Sequence, residues 1–312
     1  MGYPVVDLHC DTLTRLLSPF NRKLHVTGKR LVRGGVRIQV FALFVPGKRI
    51  KQARRTALYE HDLLERISRD WGLYIARKPE EILQENLVAV PAIEGGEIIE
   101  KNEDFYTFER LGIRYITVVW NRQNRFGDPA LSPAPVHNGL SEEGRWLVKE
   151  MERFKILPDV SHASEKTFWD IVDTAHGPVI ASHSCCHALN PHPRNLKDEQ
   201  IKAIAEKGGV VGINFSCEFL RGEKRCGIED VIKHIAHVVE IAGIDTVALG
   251  SDFDGVRHLP RGLSTAAAYP LLEEGLRKYG FGEEEIRKIM GENALRVLSC
   301  GTYTHFMEKA QK

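Results

Sequence analysis

The chain has 312 residues, 43% of them hydrophobic and 27% charged, with a formal net charge of +1, the profile of an ordinary globular protein. Near-neutral charge argues against nucleic acid as a partner, and no window reaches the roughly 18 apolar residues of a membrane span. Because the amino terminus enters an apolar run at once, with no basic leader or small-residue cleavage site, a cytoplasmic protein is expected.

Short apolar runs alternate with longer amphipathic stretches from end to end. The predicted strands are Val5–Cys10, Val36–Phe44, Leu87–Ile93, Tyr115–Val119, Leu157–Val160, Val179–Ser182, Val210–Phe215 and Val247–Gly250. Between them lie predicted helices at Arg49–Trp71, Glu103–Leu111, Ser141–Phe154, Ser164–Thr174, Lys197–Lys207, Ile228–Ile241 and Ala266–Tyr279. Ser141 reads as an N-cap with Glu142 and Glu143 in the first turn, and Gly208-Gly209 closes the Lys197–Lys207 stretch. The basic cluster Lys48–Arg55 reads as a helix start with a solvated face.

Eight strand-and-helix units without a Gly, Ser or Pro linker between halves predict a closed (β/α)8 TIM barrel. The whole of 1–312 is then one catalytic domain, with Glu283–Leu298 a C-terminal helical extension outside the barrel, broken near Gly291-Glu292-Asn293. A doubly wound sheet is the rival architecture, but no Gly-x-Gly-x-x-Gly turn follows the first strand. The six cysteines (Cys10, Cys185, Cys186, Cys217, Cys226, Cys300) show no small-scaffold spacing and are read as reduced thiols. A chain of this length builds a core without staples.

In such a barrel the active site lies at the carboxyl ends of the strands. Residues there form an unusual set: His9 and Asp11 at the end of the first strand, Glu94 at that of the third, His162 of the fifth, His183 of the sixth and Asp252 of the eighth. Taken singly, each has a structural explanation as a cap or turn residue. Jointly they are imidazole nitrogens and carboxylate oxygens, the donors that suit zinc and its neighbours. A carboxylate can bridge two cations that share a water and polarise a carbonyl, and Glu94 is the best bridging candidate. One ion then takes His9, Asp11 and Glu94, the other Glu94, His162 and His183. Asp252 stands across the mouth as proton acceptor and donor.

With those residues placed, the sequence resembles the membrane dipeptidase, or renal dipeptidase, family of the metal-dependent amidohydrolase superfamily. The matching segments are Asp7-Leu8-His9-Cys10-Asp11, Glu94-Gly95-Gly96, Gly139-Leu140-Ser141 with Gly144, Asp159-Val160-Ser161-His162, Ser182-His183-Ser184, Arg194-Asn195, Gly250-Ser251-Asp252-Phe253-Asp254-Gly255 and Gly291-Glu292-Asn293. The resemblance implies two zinc ions per chain on the five ligands above, and Asp252 as acid and base. It also implies hydrolysis of a dipeptide, L,D-dipeptides included, by a metal-bridging hydroxide, and a homodimer. Arg194 is then expected to pair with the substrate carboxylate, which a planar guanidinium fork suits.

In one place the chain departs from the family: where many members carry a substrate-contacting histidine, it reads Trp120-Asn121. Either Asn121 or the metals then stabilise the oxyanion, or substrate binds differently, and Trp120 is a pocket wall or simple core. His137, His187, His192 and His258 are read as loop residues on the active face. The alternatives to a dipeptidase are a binuclear amidohydrolase acting on another amide, lactone or cyclic imide, and a metal-binding barrel without turnover.

Overall fold

The computed structural model describes residues 3–18, 23–47 and 52–299. The strands are β1 (Val5–Asp7), β2 (Val36–Phe44), β3 (Tyr74–Ile75), β4 (Val88–Glu94), β5 (Tyr115–Thr117), β6 (Leu157–Asp159), β7 (Ala181–Ser184), β8 (Val211–Ile213) and β9 (Val247–Leu249). Eight of them run β6-β5-β4-β2-β1-β9-β8-β7, all pairs parallel, with β3 added beside β4. The ends of this order meet. A parallel bridge joins Asp159 to Ile180, and the Val160 and Ile180 N–H groups donate across it at 2.9 Å to Ile180 and Pro158. The sheet is therefore a (β/α)8 barrel, and the doubly wound rival is excluded.

Every predicted apolar run overlaps a strand, because parallel strands buried on both faces are continuously apolar. β1, β5, β6, β8 and β9 stop short of their predicted ends, where the chain turns into the site, β2 matches its prediction, and β4 and β7 run on to Glu94 and Ser184. Helices Ala53–Trp71, Asn102–Arg110, Glu142–Arg153, Glu165–Thr174, Asp198–Glu206, Ile228–Ala242 and Tyr269–Tyr279 follow the predicted amphipathic stretches. Ser141 and Ser164 cap their helices by accepting from the Gly144 and Thr167 N–H groups. Residues 48–51, the start of the basic cluster, and Cys300 lie outside the described residues.

Two expectations are corrected. The terminal segment, α-helical at Glu283–Arg287 and Asn293–Leu298 with a π-turn over Lys288–Glu292, does not lie outside the barrel but plugs its floor. Ala294, Leu295, Val297 and Leu298 join the interior cluster of Val6, Leu8, Ile38, Val40, Val88 and Val90. An apolar barrel interior needs such a cover at its amino end. Gly291 permits the approach, since a Cβ there would stand 2.4 Å from the Pro4 carbonyl.

Nor are all six cysteines reduced: Cys217 and Cys226 form a disulfide, Cα to Cα 5.3 Å, around the short helix Cys217–Arg221. The chain reverses at Gly222, in the left-handed region at φ 71°, and the return brings the two thiols together. Cys10, Cys185 and Cys186 are free and buried.

Candidate active site

The barrel brings His9, Asp11, Glu94, His162, His183 and Asp252 together at its carboxyl mouth, all buried. Glu94 ends β4 and stands at the centre. Its Oε1 lies 2.9 Å from His162 Nε2 and 3.4 Å from His183 Nε2, and its Oε2 lies 3.6 Å from His9 Nε2. Asp11 Oδ2 is 3.9 Å from His9 Nε2.

The outward nitrogen of each ring fixes its tautomer. Tyr115 gives its hydroxyl hydrogen to the Leu8 carbonyl at 2.8 Å, so at 2.8 Å from His9 Nδ1 it can only accept. The Asn121 amide oxygen accepts from His162 Nδ1 at 2.8 Å. Ser182 donates to Asp159 at 2.6 Å and so accepts from His183 Nδ1 at 2.7 Å. All three imidazoles thus turn an Nε2 lone pair inward, the arrangement by which proteins present histidine to a metal.

Two buried carboxylates brace these loops from beneath. Asp159 accepts from Thr117, Ser161 and Ser182, and Asp7 accepts from the His9 N–H, Gln39 and Ser251.

The cluster holds more lone pairs than hydrogens to fill them. His162 and His183 set their Nε2 atoms 3.0 Å apart, and His9 Nε2 and Asp11 Oδ1 are buried without a hydrogen-bond partner. Electrostatics report the same imbalance. Burial opposes charge on His9, yet the Glu94 carboxylate, followed by Asp11 and Asp252, pulls its pKa up to about 10. Burial and the Arg194 cation push His162 down to about 4. Asp11 and Asp252 are raised, first by burial and then with a push from Glu94. Unfilled nitrogen and carboxylate donors around one point fit a divalent cation. His9, Glu94 and His183, and likewise His9, Asp11 and Asp252, have ligand atoms within 4.8 Å of one another.

Asp252 takes a left-handed backbone, φ 58°, and receives the Asn214 amide at 2.9 Å on Oδ2. Gly255 leaves the space in which Asp11 and Asp252 lie. Asp254 belongs to the scaffold, since Thr12 and the backbone N–H groups of His25 and Val26 fill its oxygens.

A cavity of ≈ 430 Å³ opens over the cluster. Arg194 is 3% exposed and lines it, its Nη2 donating to His162 Nε2 at 3.0 Å, while its Nε and Nη1 are buried without partners. Its guanidinium lies 5.4 Å over the Phe219 ring. Trp120 is half-buried, 4.7 Å from the Phe44 ring and 6.1 Å from His162, so it forms a cavity wall rather than core. Of the loop histidines, His258 lines the cavity, His192 accepts from the Arg194 N–H, and His137 contacts the Asn124 carbonyl.

Sequence reasoning missed Tyr115, Ser182, Asn214, Phe219 and Gly255. Only Ser182 and Gly255 carried a signal, as neighbours of His183 and Asp252.

Residues 2–309 match the family model described as Membrane dipeptidase (Peptidase family M19). The chain belongs to the membrane dipeptidase family. By that membership it is a metallo-dipeptidase. Among curated relatives, Dipeptidase tcpJ of Claviceps purpurea is 32% identical over 291 residues, covering 88% of this chain and 68% of that protein. Among solved structures, the metallopeptidase dipeptidase AC superposes with a TM-score of 0.87 at 31% identity, over 96% of this chain and all of that one. A metallopeptidase from Rhodobacter sphaeroides, liganded with a phosphinate mimic of the dipeptide L-Ala-D-Ala, also gives 0.87, at 29% identity over 96% of this chain and 99% of its own.

Proposed function

We propose that this family member hydrolyses dipeptides, L,D-dipeptides included, with two zinc ions per chain held by His9, Asp11, Glu94, His162 and His183. The convergence of three inward Nε2 lone pairs on the Glu94 carboxylate carries the reading. When bound, the ions would polarise the scissile carbonyl and lower the pKa of water. Everything else falls to the chain's own residues. Asn121, Tyr115 and Ser182 hold the three imidazoles in the liganding tautomer. Asp252, its Oδ2 steadied by Asn214, takes the proton from water and returns it to the leaving amine.

Arg194, cationic and buried with two unused nitrogens, receives the free carboxylate. Trp120 and Phe44 supply the apolar wall, and Asn121, which gives only its amide oxygen to His162, keeps its NH2 as a donor, so oxyanion stabilisation falls to Asn121 or the ions. The inclusion of L,D-dipeptides is supported by the L-Ala-D-Ala mimic in the Rhodobacter relative.

The test is turnover of Ala-Ala, Ala-D-Ala and their carboxy-amidated forms by zinc-loaded wild type, Asp252→Asn and Arg194→Gln. Losing a charged hydrogen bond of about 2–3 kcal/mol raises KM for the free dipeptides by roughly 30–150-fold in Arg194→Gln and leaves the amides unchanged. Turnover of amide, lactone or imide substrates insensitive to Arg194 instead favours the broader amidohydrolase reading.

We further take the enzyme to be a homodimer. No helix among the described residues is long and apolar enough to cross a membrane. The Cys217–Cys226 bond weighs against the cytoplasm, because disulfides persist mainly in oxidising compartments. Thiol trapping on protein from intact cells decides the compartment, and sedimentation the assembly.

A further inference from the structure

Arg15 lies on the short helix Thr12–Leu16 that follows Asp11. It lines the catalytic cavity, and its Nε is buried without a hydrogen-bond partner. Among the described residues no carboxylate pairs with it. The Asp254 oxygens nearby are taken by Thr12 and by the His25 and Val26 N–H groups. Arg257, exposed on the loop after β9, lines the same cavity and likewise has no ion pair among the described residues.

Barrel order fixes where these cations stand relative to Arg194. Arg194 follows β7 and touches His162 after β6, and β6 is four places from β1 in the closed ring of eight. Arg15 therefore lines the same cavity from the side of the mouth opposite the His162 that Arg194 touches. A dipeptide whose carboxylate rests on Arg194 and whose amide lies over Glu94 extends its first residue toward the β1 wall. Thr14, Arg15 and Phe44 wait there, with Arg257 at the rim.

Resting on the dipeptidase reading, we propose that Arg15 determines specificity for the first residue: it receives an acidic side chain there, making Asp-Xaa and Glu-Xaa dipeptides the preferred substrates. A carboxylate can accept from a guanidinium edge through two parallel N–H groups, and the open Nε is half of such an edge.

The experiment compares kcat/KM for Glu-Ala, Gln-Ala and Ala-Glu in zinc-loaded wild type, Arg15→Gln and Arg15→Lys. A charge-assisted contact of this kind gives roughly a tenfold or greater preference of wild type for Glu-Ala over Gln-Ala. That ratio falls to about one in Arg15→Gln and to an intermediate value in Arg15→Lys, which keeps charge but loses the fork. A wild-type ratio near one, a ratio that survives Arg15→Gln, or a preference for Ala-Glu instead overturns the assignment. If wild type cleaves no dipeptide at all, the dipeptidase reading fails separately. Calorimetric binding of Glu-Ala against Gln-Ala then decides Arg15: tighter Glu-Ala lost in Arg15→Gln supports it, and equal affinities overturn it.

Discussion

Replacing Gly255 by alanine separates the site's geometry from the stability of the fold. A Cβ there would stand 2.0 Å from Asp11 Oδ2 and 2.3 Å from Asp252 Oδ1, whereas carbon and oxygen approach only to about 3.3 Å. Each carboxylate must withdraw by on the order of 1 Å. Misplacement of that size at a reacting centre costs roughly 10²-fold in rate. The fold has little reason to suffer. Gly255 is exposed, its φ lies outside the left-handed region, and the atoms that must move are the ends of side chains facing a cavity. We expect Gly255→Ala to lose about 10²-fold in kcat/KM for Ala-Ala at saturating zinc, with a melting temperature within about 2 °C of wild type. Wild-type turnover would refute the steric argument. A fall of 10 °C or so accompanying the loss would show instead that Gly255 serves the fold.

Removing the Tyr115 hydroxyl in Tyr115→Phe leaves the buried Leu8 carbonyl and His9 Nδ1 without their partner. This costs about 1–3 kcal/mol of stability and roughly 10–100-fold in metal affinity, measured by denaturation and chelator competition; unchanged metal affinity would discard the tautomer argument. Opening the disulfide with Cys226→Ser loosens the helix that carries Phe219 beneath Arg194. The expected results are a loss of roughly 2–3 kcal/mol and a raised KM with kcat little changed, seen in steady-state kinetics and a melt; a fall in kcat at constant KM would contradict that placement.

The barrel was legible because its strands are buried on both faces, so each appears as an unbroken apolar run, and because the chain leaves the apolar interior abruptly at the mouth. His9 and Asp11 stand out for that reason, as do Glu94, His162, His183 and Asp252 at the ends of later runs. The residues that orient them were not legible. Tyr115 reaches His9 across 106 residues, and in sequence it is one more aromatic in a strand. Asn121 was placed near the site as a substrate contact, but its hold on His162 was not foreseen, because nothing local shows that its amide oxygen turns back to that ring. Cys217 and Cys226 escaped notice because their pairing depends on the reversal at Gly222. The terminal helix carried the right apolar residues, but periodicity does not say whether a helix covers the side or the floor of a barrel.

The central claim is that Glu94 and its neighbours hold two ions that act together on a dipeptide bond, and titrating metal-free protein with zinc while following Ala-Ala hydrolysis tests it most directly. Turnover is expected to rise to a plateau at two equivalents per chain, with none from Glu94→Gln at any loading. A plateau at one equivalent, or full turnover in Glu94→Gln, would contradict it.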